Sequence, residues 1–301
     1  MTTKATPPTL TLNNGVAMPV IGLGVFQCPP EETAAAVGAA IADGYRLIDT
    51  AASYDNEREV GAAIRASGID RAEIFVTTKL WISDYGYDEA LIGFDGCLRR
   101  LGLDYVDLFL LHQPVPIDFD GTVAAYSAME RVLSEGRARA IGVSNFSEQH
   151  LETLMRRTEV VPSVNQVERH PFFTQDALRA FHTRHSITTE AWSPLGGIHV
   201  YRPSDPDAVL NALEHPTITA IADKHGKTPA QVVLRWHNEQ GVVAIPKSVK
   251  AHRIAENIDV FDFELTAGEV AAIDALDTGV RGGPDPEAIS TATYPKKVVN
   301  D

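Results

Sequence analysis

Asp49, Tyr54, Lys79 and His112 are side chains of the kinds that move protons, and three of them fall at the ends of apolar runs. Asp49 ends Leu47-Ile48-Asp49, Lys79 ends Phe75-Val76-Thr77-Thr78-Lys79, His112 ends the run that starts at Val106, and Tyr54 lies on the segment after Asp49. Singly, each has an ordinary reading: Asp49 and Lys79 as a structural ion pair, Tyr54 as a loop aromatic, His112 as a buried, hydrogen-bonded histidine. Together they form a proton-donor set for a carbonyl. A tyrosine, with an unperturbed pKa of about 10, becomes a better acid when a lysine ammonium stabilises its phenolate. Asp49 would keep that lysine charged and placed, and His112 would hydrogen-bond the oxygen on which negative charge develops. Acid catalysis of this kind is worth about a hundred- to ten-thousandfold.

Such a set works only if the elements bring its members to one rim. Short apolar segments at Val20–Val25, Leu47–Asp49, Ile74–Thr78, Val106–Leu111, Ala140–Val143, Ser163–Val167, Thr188–Trp192 and Val242–Ile245 read as buried strands separated by helical patterns. Helix signals include Pro29-Pro30-Glu31-Glu32 and Asn56, the latter in N-cap position before Val60 and Ile64. Eight such units predict a (β/α)8 barrel, an α/β TIM barrel forming a single domain over residues 1–301, whose chemistry gathers at the C-terminal ends of the strands. A doubly wound open sheet, usually of about six strands, would leave two units unplaced. Thr9 to Gly15 alternates and then turns, which predicts an N-terminal β-hairpin, and the segment from Gly279 reads as a C-terminal loop tail able to cover one barrel end. Period-two alternation puts His112 on the same face as Val106, Leu108 and Leu110, the barrel interior.

Composition narrows the function classes. The 301 residues carry 26 basic and 40 acidic side chains, a net charge of -14, with 44% hydrophobic residues. This is a packed globular chain whose field repels phosphate, so nonspecific nucleic-acid or anionic-membrane binding is not expected and any phosphate site must be built locally. Cys28 and Cys97 read as small buried hydrophobes, not as a disulfide framework or a zinc site. The prolines among residues 5–30 argue against a membrane span, and the expectation is a monomeric cytoplasmic protein. Gly22-Leu23-Gly24 lacks the third glycine of a dinucleotide fingerprint because Gln27 stands there, and no phosphate loop, zinc-helix or nucleophile-elbow motif occurs. No metal is expected, and His182 and His185 read as an exposed helix face.

The stretches GYRLIDTAASYDNE (44–57), FVTTKLW (75–81), LGLDYVDLFLLH (101–112), IGVSNF (141–146), NQVERHP (165–171), WSPLG (192–196) and IPKSVKAHRIAEN (245–257) resemble, in order, the motifs of the aldo-keto reductase family. Within that family, GKTPAQVVLRWH (226–237) and NIDVFDFELT (257–266) are most similar to the bacterial 2,5-diketo-D-gluconate reductase group. The resemblance implies reduction of a small-molecule aldehyde or ketone by NADPH, with Asp49, Tyr54, Lys79 and His112 as the catalytic tetrad. It also implies that Ser144, Asn145 and Gln166 bind the nicotinamide carboxamide and that Trp192 stacks on the ring. Ser193, Leu195 and Gly196 would line the pyrophosphate loop, Lys247, Ser248 and Arg253 would bind the 2'-phosphate, and Glu256 and Asn257 would contact adenine. Ser144-Asn145 can equally cap the helix before Glu148. Phe26, Trp81, Gln113 and Phe146 are the expected substrate pocket, with core packing an equal role for Phe146; Gln113 stands where many members carry Trp. The alternative function is an NADP-binding regulatory subunit with little turnover, and a metal-dependent barrel hydrolase would need mouth-facing ligands that the sequence lacks.

Overall fold

The structure, a computed structural model, describes residues 7–197 and 211–300. The predicted hairpin is present as β1 (Thr9–Thr11) paired antiparallel with β2 (Ala17–Pro19). The following strands are β3 (Leu23–Gly24), β4 (Leu47–Asp49), β5 (Phe75–Leu80), β6 (Val106–Leu111), β7 (Ala138–Ser144), β8 (Val164–Glu168), β9 (Thr188–Trp192) and β10 (Val243–Ala244). They lie in chain order in one eight-stranded parallel sheet. The sheet closes on itself: Ile21 bridges Ala244 in parallel, and the Gly22 and Gly24 amides donate to Ala244 O at 2.9 Å and Pro246 O at 3.1 Å. Closure leaves no unpaired edge and confirms the (β/α)8 barrel. β6 and β9 have the expected bounds, whereas the first strand is shorter than Val20–Val25 because only Leu23 and Gly24 pair with β4.

The helices are α1 (Pro30–Ala42), α2 (Glu57–Ala66), α3 (Tyr87–Leu101), α4 (Phe119–Ser134), α5 (Glu148–Met155), α6 (Asp176–Arg184), α7 (Pro216–His225), α8 (Pro229–Glu239), α9 (Ala251–Ile258) and α10 (Ala267–Asp274). Local chemistry starts them. Pro30 and acidic Glu31 and Glu32 open α1, and capping boxes open α5 (Ser147 with His150), α8 (Thr228 with Gln231) and α10 (Thr266 with Glu269). The helix ring closes where α9 packs on α1.

Inside the barrel, Leu47, Phe75, Leu108, Leu110, Ala140, Val164 and Val243 form an apolar plug that Leu12 and Met18 of the hairpin complete. The hairpin therefore stoppers the end away from the rim. Leu108 and Leu110 point inward as alternation requires, but Val106 belongs to the helix-side cluster.

Three expectations need correction. Asn56 occupies the N-cap position of α2 without capping it: its side-chain amide donates to Val25 O at 3.0 Å and Cys28 O at 3.2 Å, tying the loop after β3 to α2. The cap of α5 is Ser147, not Ser144 or Asn145. His182 is not on an exposed face; it is 1% exposed and bonds Asn165 and Thr189 beneath α6, whereas His185 is exposed. Both cysteines are buried and unpaired.

At Gly61 of α2 an added Cβ would lie 1.7 Å from Leu101 O of α3, whereas nothing lies within 4 Å of one added at Gly38 in α1. Gly61→Ala is expected to destabilise by about 1–3 kcal/mol, lowering Tm by several degrees, because α3 backbone must move. Gly38→Ala is expected to raise stability by about 0.5–1 kcal/mol, since it relieves only chain entropy. Thermal unfolding by circular dichroism checks both, and equal melting of the two variants would contradict the packing described.

Candidate active site

Alternation along parallel strands positions the rim. Inward Leu47 is followed two residues on by Asp49, Leu110 by His112, Val164 by Gln166, while Lys79 lies four beyond Phe75 on the same face. The apolar plug thus ends in a polar layer drawn from neighbouring strands.

Lys79 organises it. Its ammonium, fully buried, donates to Asp49 Oδ1 at 2.6 Å and Thr50 O at 3.0 Å, with Tyr54 OH at 3.5 Å. Burial opposes the charge, but Asp49 and the Tyr54 phenol outweigh burial, so the Lys79 pKa lies above its ordinary value. Burial also pushes the Asp49 carboxyl up, against the pull of Lys79. His112 is pushed well below its ordinary range by burial and by the Lys79 charge, so its imidazole is neutral at pH 7. Its Nδ1 lies 3.4 Å from Ser53 Oγ.

For Tyr54 the expected effect of lysine is only one of two opposing influences. Burial pushes the phenol up to about 12; Lys79 pulls it down, while Asp49 and Glu190 add to the rise. Tyr54 is accordingly a protonated phenol held against a cation. Its ring packs 4.9 Å from Phe26 and 5.6 Å from His112, and Trp81 meets His112 edge-on at 5.1 Å.

A second group adjoins the tetrad. Asn145 donates to His112 O and Ser144 Oγ, each at 3.1 Å, and its Oδ1 accepts from Trp192 Nε1 at 2.9 Å. Gln166 Nε2 donates to Asp49 Oδ2 and Glu190 Oε2, each at 2.8 Å, while its Oε1 accepts nothing among the described residues. Asn145 and Ser193 hold φ of 67° and 47°, a left-handed backbone uncommon for residues with a Cβ and concentrated at functional sites. Leu195 and buried Gly196 follow, with Gly196 at φ 74°. After β10, Lys247 and Arg253 are exposed and make no ion pair among the described residues, though the chain carries a charge of -14. Ser248 is half-buried and accepts from the Lys250 amide, Glu256 accepts from Thr228 at 2.8 Å, and Asn257 is buried.

The pocket candidates separate. Phe26 and Trp81 flank Tyr54 and His112; Gln113 uses its backbone to brace the Tyr85 hydroxyl; Phe146 is 1% exposed and packs beside Phe119 and His150 in the core. The tail covers the mouth. Trp81 Nε1 donates to Lys296 O at 2.9 Å, and Ile289, Tyr294 and Val298 pack against Trp81 and Val115.

Sequence reasoning missed two buried carboxylates. Glu190 stands beside Gln166, and Glu168 accepts from the tail amides of Gly282 at 2.6 Å and Gly283 at 2.8 Å. An acidic residue inside an apolar strand run was the signal available for both. Among the described residues no group of three or more His, Cys, Asp or Glu side chains could hold a metal ion, and no helix is long and apolar enough to cross a membrane.

Residues 20–278 match the Aldo/keto reductase family. The chain is similar to morphine 6-dehydrogenase of Pseudomonas putida, 55% identical over 95% of this chain and 97% of that one. It is also similar to glyoxal reductase of Bacillus subtilis, 46% identical over 93% and 97%. A crystal structure of the Bombyx mori aldo-keto reductase in complex with NADP superposes with a TM-score of 0.86 at 35% identity, covering 97% of this chain and 98% of that one. With its sequence matched along nearly its whole length and its fold matched over nearly the whole of both chains, this chain belongs to the aldo/keto reductase family.

Proposed function

We propose that this chain is a monomeric, cytoplasmic, single-domain reductase of aldehydes or ketones, diketones and keto-sugars among them, that uses NADPH. The observation that carries the reading is the buried Lys79 ammonium joining Asp49 to the Tyr54 hydroxyl at a mouth flanked by Phe26 and Trp81. The relatives named glyoxal reductase and morphine 6-dehydrogenase lend it support.

The residues present fit the cofactor. Among the described residues Gln166 Oε1 has no partner and suits a carboxamide N–H, Trp192 offers an aromatic face, and Lys247 and Arg253, exposed and in no ion pair, suit a 2'-phosphate dianion. Ser144 and Asn145 would hold the carboxamide with Gln166; Ser193, Leu195 and Gly196 would take the pyrophosphate; Ser248 would help Arg253; and Glu256 and Asn257 would take the adenine. When bound, the nicotinamide supplies a hydride to the carbonyl carbon.

The chain supplies the rest. A substrate carbonyl between Tyr54 and His112 meets two neutral donors, since His112 is held uncharged at pH 7. Tyr54 gives its proton to the substrate oxygen as negative charge develops there. The resulting phenolate is stabilised by Lys79, whose charge Asp49 maintains. Phe26 and Trp81 flank the place of the reacting oxygen, and a substrate seated between them would displace water from it, which strengthens these interactions.

Two outcomes test this. Tyr54→Phe removes the transferable proton and keeps the ring, so turnover of aldehydes followed by NADPH absorbance should fall about a hundred- to ten-thousandfold with NADPH affinity retained; undiminished turnover would remove Tyr54 as the acid. Arg253→Ala should weaken NADPH about ten- to a hundredfold and leave NADH nearly unaffected, as expected for loss of a charge-assisted contact. Equal losses for both nucleotides would place the 2'-phosphate elsewhere. Firm NADPH binding without turnover of any carbonyl would favour the regulatory role.

A further inference from the structure

Glu190 is a carboxylic acid placed where a barrel interior normally carries an apolar side chain. It is fully buried on β9, opposite Gln166 in the parallel register, and its Oε1 is without a hydrogen-bond partner. Such a group costs stability unless it does something the apolar residue would not. Its one bond is informative: Glu190 Oε2 accepts from Gln166 Nε2, the same nitrogen that donates to Asp49 Oδ2.

An amide can present either end to a neighbour, and its orientation is decided by the partners around it. At Gln166 both partners are carboxyl oxygens, one from β4 and one from β9. Both N–H donors are thereby engaged, and a flipped amide would set its oxygen against the Asp49 carboxylate, which is held to Lys79 and has no proton to offer. Asp49 alone would leave one donor uncommitted, and Asp49 is already bound to Lys79.

We propose that Glu190 is a positioning residue: with Asp49 it locks the Gln166 amide so that Oε1 is the atom left to accept from the nicotinamide carboxamide. The assignment rests on the cofactor reading above and extends it to a residue that touches neither substrate nor cofactor. Glu190 also gives that end of the site a pH dependence. Asp49 on β4, Tyr54 on the segment after β4 and Lys79 on β5 are the titratable groups that face it, and burial, reinforced by Asp49, pushes Glu190 up to about 8. Below that pH it is a neutral acceptor for Gln166; above it, a negative charge is added beside the carboxamide site, which favours the cationic oxidised nicotinamide over the reduced one.

The test compares NADPH with adenosine 2',5'-bisphosphate, which carries no nicotinamide, by quenching of protein fluorescence in the unaltered protein, Glu190→Leu and Glu190→Gln. At pH 7, Glu190→Leu removes the acceptor and should weaken NADPH about five- to tenfold, the worth of one hydrogen bond, while bisphosphate affinity stays as it was. Glu190→Gln returns an acceptor oxygen and should restore NADPH affinity. Equal weakening of both ligands, no weakening of NADPH, or a Gln variant no better than Leu overturns the proposal. Should Glu190→Leu fail to fold, the Kd ratio of NADP+ to NADPH decides: it should fall between pH 7 and pH 9 in the unaltered protein and change less in Glu190→Gln, and parallel profiles would sink the idea. Failure of the unaltered protein to bind either ligand refutes the cofactor reading itself, a result distinct from normal binding of both with an indifferent Glu190→Leu.

Discussion

A lysine ammonium with no exposure to water sits at the mouth of this barrel, and the rim is arranged around keeping it charged. Removing such an ion from water costs several kcal/mol unless its donors are matched. Lys79 has three N–H donors and three oxygens within reach, from Asp49, Thr50 and Tyr54. Those oxygens come from one strand end and the loop that follows it, so satisfying the cation also fixes where the phenol stands. Loss of the Asp49 carboxylate would strand a buried charge, a defect worth about 3–5 kcal/mol. Stability and placement of the phenol therefore rest on one interaction.

That dependence explains what was legible in the chain. Asp49, Lys79 and His112 announce themselves because a charged or titratable residue closing an apolar run has little purpose except at a strand end, and period two then assigns its face. Regular spacing of eight such runs gave the barrel, since each run had a turn signal and a helical segment behind it. Contacts set by distant elements were not legible. Asn56 carries the signature of an N-cap, yet it spends its amide on carbonyls of the loop after β3, and nothing nearby in the sequence marks that loop as its neighbour. His182 lies in a helical pattern with polar neighbours, and only closure of α6 over β8 and β9 reveals that Asn165 and Thr189 await it. The sign of the Tyr54 shift was equally hidden, because it depends on burial among residues from other elements, Phe26 and His112 among them.

The tail shows how a segment without regular structure becomes part of a site. Glu168 closes β8 as a fully buried carboxylate, and its two oxygens accept the amides of Gly282 and Gly283, with His170 Nε2 at 3.0 Å from one of them. Charge-assisted bonds to backbone are short and directional, so they hold a loop better than apolar contact alone. At Gly283 an added Cβ would lie 2.5 Å from the Trp192 ring, which leaves room there for glycine only. The strap and the indole that would carry the nicotinamide are thus packed as one unit. On the other side of the mouth, the bond from Trp81 to Lys296 O anchors the end of the same tail beside His112.

The distribution of charge completes the argument. A chain at -14 repels a dinucleotide phosphate at long range, so affinity must come from contacts within a Debye length, about 8 Å at physiological ionic strength. The two ends of the proposed cofactor site meet that need differently. At the outer end Lys247 and Arg253 stand exposed and unpaired among the described residues, supplying positive charge in a place where water keeps it inexpensive. At the inner end Asp49, Glu190 and Lys79 are buried together, two acids beside one base, and Lys79 is bonded to Asp49. Burial, with repulsion from Asp49 added, outweighs the pull of Lys79 and favours a proton on Glu190, which lowers the negative charge around Lys79 while keeping an oxygen for Gln166. A neutral but polar floor beneath the rim suits a ring that alternates between neutral and cationic forms, because neither form is trapped.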